Sequence, residues 1–337
     1  MNKKIFLCFF AFIAMGAFAQ GEPRRSETLN KPESRNYQDS LQQRKGSYLS
    51  ISGNVGSSSF KYDLEGLKGE EGTREGKLGF GFELKYSYFF NDHWGVTTGV
   101  GLSQYASIGK LKGSLAEDIF YSLGEFVDND EVGRPIDFEL RARLTNLEEK
   151  QIAWLVEVPL MLSYQTYFGD DEKWGMYGGI GAKLQFPFST KFKIQNGASS
   201  QFNVSGKYDG IPTDMGSPMN PPVPQHGYGT ISDPNSTLDW NDKAKLKMGV
   251  AATAELGFMY ALSNSMDLTL GGYIDYGLND IKKNGNNKIL TASSVYHPGA
   301  DNHVGKGITY HGMLNSNATD KIKLISFGAK IGLRFKL

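Results

Sequence analysis

A single cysteine, Cys8, occurs in this chain of 337 residues, and it lies inside an N-terminal apolar run. Neither a disulfide framework nor a thiolate metal site is therefore open to the mature protein. A lipoprotein acceptor cysteine would stand at the end of such a run, whereas Cys8 stands near its start. An excess of one charge is also missing: 36 Lys+Arg face 36 Asp+Glu, which excludes the basic footprint of a nucleic-acid-binding protein. After the N-terminal run, no stretch of the sequence approaches the roughly 20 apolar residues of a membrane-spanning helix. That absence excludes helical spans but not strands, because barrel strands alternate in polarity and give little hydropathy signal per segment.

What is present begins with an export signal. Lys3 and Lys4 make a basic start, residues 5–16 an apolar run, and Ala17, Phe18 and Ala19 a small-x-small cleavage site before Gln20. Residues 1–19 are expected to be a signal peptide cleaved after Ala19; the run is too short for a spanning anchor. Without Lys3 and Lys4, 34 basic residues remain against 36 acidic ones, a formal charge of −2. Residues 20–46 are polar, aperiodic and contain prolines, and are expected to form a flexible periplasmic segment.

The whole sequence carries 41 glycines, 17 tyrosines and 21 phenylalanines, a composition of aromatic, Gly-punctuated strands. Eight runs alternate with a two-residue period. Leu49, Ile51 and Val55 share a face of the first; Leu78, Phe80, Phe82, Leu84, Tyr86, Tyr88 and Phe90 share one of the second. Trp94 to Leu102, Trp154 to Tyr164, Trp174 to Phe186, Leu246 to Tyr260 and Met266 to Tyr276 repeat the pattern, and Ile325 to Leu337 ends it. Three connections are short, near residues 92, 171 and 264. Four are long, at residues 63–75, 107–150, 196–244 and 282–320. Several loops beyond about 15 residues are unusual in a soluble domain, whereas outer-membrane barrels combine short periplasmic turns with long extracellular loops. The expected fold is all-β: a closed antiparallel transmembrane up-and-down β-barrel of about eight strands over residues 47–337.

The polar faces decide which side meets lipid. They hold glycines (Gly79, Gly81, Gly179, Gly181, Gly328, Gly332) interspersed with charges of both signs. Glycine in a strand marks curvature or close approach, which a narrow barrel interior imposes and bulk water does not. Glu83, Lys85, Glu157, Lys183, Glu255, Asp267, Asp275, Lys330 and Arg334 are expected to pair across the lumen and plug it, since an unpaired buried charge is costly. The apolar faces then meet lipid. Phe90, Trp94, Trp154, Tyr164, Trp174, Tyr260 and Phe335 are expected to form aromatic girdles. Trp154 and Tyr164, ten residues apart, span about 25 Å of height at about 3.3 Å per residue and a tilt near 40°. Pro159 cannot donate to a ladder, so a bulge is expected there with Glu157 and Pro159 turned inward.

The stretches LVEVPLMLSY (residues 155–164), MYGGIGAKLQFPF (176–188) and the terminal FGAKIGLRFKL resemble the PorT-like outer-membrane β-barrel family, with the Glu-x-Pro strand as the most specific element. VSGKYDG (204–210), after the Asn196-Gly197 turn, is similar to a loop hairpin of such proteins. The resemblance implies an eight-stranded barrel in the outer membrane of a Gram-negative bacterium. It also implies handling by periplasmic chaperones and insertion by the barrel-assembly machinery through the C-terminal strand.

Other patterns carry weaker chemistry. Residues 128–139, DNDEVGRPIDFE, have the acid and glycine spacing of an EF-hand calcium loop, but Val132 occupies a position that needs an oxygen ligand. Ser114 and Glu117 make a capping box before Leu115, Ile119, Leu123 and Phe126, which predicts a short helix at the barrel mouth. His226, His297, His303 and His311 fall in the long loops, without spacing that defines a catalytic set. No cofactor or metal is implied. The expected role is non-catalytic, structural or surface-interacting; the alternatives are an accessory part of a secretion or envelope complex, a narrow pore, and a lipid-modifying enzyme at the rim.

Overall fold

A computed structural model describes residues 44–62, 71–112, 121–129, 135–145, 147–169, 173–195, 201–208, 230–231, 241–283, 288–292, 308–317 and 319–337. The expected signal peptide and residues 20–43 of the N-terminal segment lie outside the described residues, as do His226, His297 and His303. Strands are β1 (Gly46–Lys61), β2 (Glu71–Phe89), β3 (Trp94–Lys112), β4 (Tyr121–Asn129) and β5 (Pro135–Thr145). They continue with β6 (Leu147–Phe168), β7 (Trp174–Gln195), β8 (Gln201–Tyr208), β9 (Thr230–Ile231) and β10 (Asn241–Ala244). The last are β11 (Gly249–Ser263), β12 (Met266–Gly277), β13 (Leu290–Ala292), β14 (Ile308–Tyr310) and β15 (Lys323–Lys336).

Eight of these close a barrel, in the order β7-β11-β12-β15-β1-β2-β3-β6 and back to β7, every pair antiparallel. The seam between the first and last strands runs unbroken from Tyr48 opposite Lys336 to Lys61 opposite Lys323. Closure leaves no strand edge, which is what lets a β-structure cross hydrocarbon. The side chains divide by parity. Leu160, Ile180 and Leu256 on the outer face are 67%, 64% and 63% exposed, whereas Glu157, Lys183 and Asp275 on the inner face are buried. A surface so apolar outside and so ionic within is an inverted soluble protein, and it needs lipid around it.

Two β-bulges shape the barrel end that carries the long connections, here the loop end. On β7 the register with β6 shifts as Trp154 pairs Ser189 and Leu155 pairs Pro187, leaving Phe188 extra. Beyond it the parity reverses, so Phe192 and Ile194 point inward and Lys191 and Lys193 outward. On β2 the shift falls between Gly76 and Phe80. Ser58 of β1 repairs the gap: Ala106 N–H donates to Ser58 Oγ at 2.8 Å, satisfying an amide that the bulge would orphan.

Several sequence expectations are corrected. The bulge lies at Phe188, not at Pro159, whose register with Lys183 is continuous; Pro159 is buried on the inner face as its parity requires. Residues 121–126, the described part of the helix expected from Ser114 to Phe126, lie in strand β4 and pair with β5; residues 113–120 lie outside the described residues. A register shift between Ser122 and Gly124 makes Leu123 an extra residue. That bulge converts a two-residue period into one that reads as helical. Residues 201–208 do not form a hairpin with β7 but join β5, giving a four-stranded sheet β4-β5-β8-β9 built from two separate connections. The barrel strands also run further than expected, taking in residues 71–75, 107–112 and 147–150.

Candidate functional site

The lumen holds the chemistry, and it is filled in layers. Nearest the short turns, Arg334 donates from Nη2 to Asp267 Oδ2 at 2.7 Å and from Nη1 to Gln165 Oε1 at 2.9 Å. Its guanidinium lies 4.6 Å from the Tyr48 ring centroid, a cation–π contact on a buried aromatic. The chain enters the barrel across this end. Arg44 and Lys45 amides both donate to Asp92 Oδ1, at 3.0 and 3.1 Å, and the Arg44 guanidinium sits 3.8 Å over the Tyr167 ring. Tyr48 OH donates to the Arg44 carbonyl at 2.6 Å, which ties the entry to the inner layer.

The middle layer is an ionic network drawn from six strands. Lys85 Nζ lies 2.6 Å from Glu255 and 4.0 Å from Glu83; Lys330 Nζ lies 2.7 Å from Glu255 and 2.5 Å from Glu83. Lys183 Nζ reaches Asp275 at 2.9 Å, Glu83 at 3.3 Å and Glu157 at 3.5 Å. Each of these seven side chains is buried or nearly so. Residues from β2, β6, β7, β11, β12 and β15 thus meet on the axis, which the inward parity of each strand makes possible. Glu157 receives three further donors: Ser103 Oγ at 2.7 Å, Gln185 Nε2 at 2.9 Å and Tyr105 OH at 3.2 Å. Of the nine lumen charges read from the sequence, seven join this network, and Asp267 and Arg334 form the separate pair below it.

A cavity of about 50 Å³ lies between the two layers. Ser52 Oγ and Tyr177 OH line it without a hydrogen-bond partner in the protein. That volume holds a few waters, and two unsatisfied hydroxyls supply their anchors.

The loop end is closed by a different chemistry, which sequence reasoning missed. Phe60, Tyr62, Phe192, Ile194, Ile289, Met313, Leu314 and Ile322 are buried together at this end. Glu149, fully buried, accepts from Tyr310 OH at 2.5 Å, Gln151 Nε2 at 2.7 Å and the Met313 amide at 2.9 Å. Tyr310 meets Phe192 edge-on, with centroids 5.7 Å apart. Gly312 has φ +77° and a Cβ there would stand 2.7 Å from the Phe192 ring, so only glycine fits. The segment around residues 310–322 is thereby packed into the mouth. Inward Phe192 and Ile194 depend on the Phe188 bulge, and nothing in strict alternation announces it.

The girdle residues sit on the outer face. Trp94 packs on Tyr164 and Trp174 on Tyr260, both pairs with centroids 4.9 Å apart, beside the short turns. Trp154 packs on Phe80 at 5.5 Å toward the loop end. Phe90 is exposed and Phe335 is half-buried.

Among the described residues no group of three or more His, Cys, Asp or Glu could hold a metal ion. In the stretch with EF-hand-like spacing, Asp128 pairs with Ile136 and Glu139 with Glu125 on opposite arms of the β4–β5 hairpin. Extended arms carry the first and last would-be ligands apart along the strands, which an EF-hand loop does not allow. His311 Nε2 lies 2.7 Å from Thr291 Oγ1 beside the β13–β14 pair.

OprG from Pseudomonas aeruginosa is similar to this chain at 17% identity, over 88% of this chain and 97% of that one, with a TM-score of 0.33. Neisserial surface protein A is similar at 11% identity, over 86% of this chain and 97% of that one, with a TM-score of 0.29. Ail, the attachment invasion locus protein of Yersinia pestis, solved with the heparin analogue sucrose octasulfate, is similar at 13% identity, over 86% and 99%, with a TM-score of 0.29. No curated protein matches the chain. The model of the outer membrane protein beta-barrel domain matches residues 18–283, well over half of the sequence. With its closed eight-stranded barrel and lipid-facing outer surface, the chain belongs to the outer membrane protein beta-barrel domain family.

Proposed function

We propose that this protein is a sealed, non-catalytic outer-membrane barrel that anchors an extracellular β-sheet for structural or surface interaction. The observation that carries the reading is the filled lumen: the Glu83–Lys330–Glu255–Lys85 ion pairs on the axis, with Arg334 below and Tyr310 and Met313 above. Ions crossing such a barrel would have to break buried pairs that cost several kcal/mol each to disrupt. The sheet β4-β5-β8-β9 supports the surface role, because two long connections cooperate to build it outside the barrel wall. Short turns face the periplasm and long connections the exterior, the usual orientation of such barrels.

We also place the protein among the PorT-like barrels, on the Glu157-x-Pro159 strand, and with them assign export by a signal peptide ending at Ala19. Delivery by periplasmic chaperones and the barrel-assembly machinery follows from that placement. The deciding experiment is conductance of the purified protein in planar bilayers. Baseline current across the full voltage range supports the sealed barrel; steady unitary openings of the wild type overturn it. A second reading, an accessory role in an envelope complex, draws on Arg44 and Lys45 being pinned by Asp92 at the turn end. Loss of co-purifying envelope proteins after deletion of residues 20–43 would favour it.

A further inference from the structure

The ionic network does not balance. Four carboxylates, Glu83, Glu157, Glu255 and Asp275, are linked by contacts of 4.0 Å or less to three ammonium groups, Lys85, Lys183 and Lys330. The imbalance has an address. Lys85 and Lys330 both contact Glu83 and Glu255, and Lys183 also reaches Glu83 at 3.3 Å, so these two anions are fully provided for. Among the described residues Lys183 is the only cationic group within salt-bridge distance of Glu157 and Asp275. One negative charge is left on that side.

Glu157 and Asp275 are not equally provided for. Both Glu157 oxygens accept hydrogen bonds, from Ser103, Tyr105 and Gln185. Asp275 spends Oδ2 on Lys183 and Ser326, at 2.9 and 3.3 Å, while Oδ1 is buried without a partner in the protein. Asp275 is 2% exposed and lines a cavity of about 10 Å³, with Asn54, Ser103, Tyr105, Tyr273 and Ser326 also on its wall. Such a volume holds about one water-sized particle. Its wall offers oxygen atoms of a carboxylate, an amide, hydroxyls and phenols, the donor set that hard cations select.

We propose that this cavity is a buried site for one monovalent metal cation of the sodium or potassium class, bound to Asp275 Oδ1. The charge sets the valence: one positive charge neutralises the four-against-three network, whereas a divalent ion would reverse its sign. The volume sets the number at one. An ion held there completes the lumen electrostatically, in the way the missing fourth ammonium would, and links strands β1, β3, β12 and β15 through their inward oxygens.

The test is a crystal structure of the whole protein in detergent with rubidium replacing sodium and potassium. An anomalous peak in the cavity beside Asp275 Oδ1 is expected; a cavity with a water peak and no anomalous signal overturns the proposal. In solution, the thermal midpoint of the wild type is expected to shift upward when sodium or potassium replaces N-methylglucamine at constant ionic strength, by the linkage of binding to folding. No shift overturns the proposal. Asp275→Asn removes the surplus charge, and the cation-dependent shift is expected to vanish; should that variant fail to fold, the two wild-type measurements decide alone. A protonated-carboxyl infrared band of the wild type that disappears in Asp275→Asn would show that a proton neutralises the network, and would also overturn the cation.

Discussion

Gly56 and Gly328 face each other across the β1–β15 seam with no room for a side chain on either. A Cβ on Gly56 would stand 2.1 Å from the Phe327 carbonyl oxygen, and one on Gly328 2.2 Å from that of Val55. Backbone cannot yield as a flexible side chain can, so the two glycines set how tightly the last strand closes on the first. Gly328→Ala is expected to destabilise the barrel by at least the 1–3 kcal/mol or so typical of overpacking. Gly53→Ala, where a Cβ meets only one atom, at 3.9 Å, is expected to behave as wild type. Heat-modifiable migration on gels after refolding into liposomes checks both.

Lys330 is shared by Glu83 and Glu255. Lys330→Met is expected to cost about 3–5 kcal/mol, because it strands buried carboxylates. Adding Glu255→Gln should recover part of that loss, a non-additivity that contacting residues show and distant ones do not. Urea unfolding in proteoliposomes measures both variants against wild type.

Phe192 fills the loop end against Tyr310 and Gly312. Phe192→Ala is expected to lose about 3–5 kcal/mol of local packing, seen as faster amide exchange at residues 310–314 while the turn end keeps its protection. Deleting Phe188 should by contrast leave that exchange nearly unchanged, since strict alternation from Pro187 then still brings Phe192 in and sends Lys191 and Lys193 out, the register Phe192 already keeps opposite Gln151.

That pair of variants marks the limit of what can be read from the chain without its structure. Alternation from Trp154 to Tyr164 and from Ile325 to Leu337 is uninterrupted, so parity alone put Glu157, Lys330 and Arg334 on the inner face. Their partners are far apart in sequence, yet eight strands pointing inward leave few places for nine charges to go. The loop end is different. A bulge reverses parity at Phe188 and at residues 77–79, and each one erases the two-residue signal where the interior stops being ionic. Pairing of β5 with β8 joins segments with no shared local pattern. Glu149 gave no cue either, because two of its three donors, Tyr310 and the Met313 amide, come from a connection more than 150 residues away.

His311 supplies a pH dependence outside the barrel wall. Burial lowers its pKa from the ordinary 6.5, with Asp242 opposing the shift. The opened hairpin therefore takes up the proton first as pH falls, so its closed form is favoured above the ordinary imidazole range and loses stability through it. Amide protection across β13 and β14 is expected to fall between about pH 7.5 and 5.5. In His311→Gln, which keeps a polar partner for Thr291, protection should stay flat.

Nitroxide labels at Ile331 and Leu333, both exposed on the outer face of β15, report what surrounds the barrel. In proteoliposomes, molecular oxygen is expected to relax both labels strongly while an aqueous nickel chelate barely reaches them. Relaxation by the chelate with little response to oxygen would mean that water covers this face, and neither the lipid-facing surface nor the ionic interior could then be right.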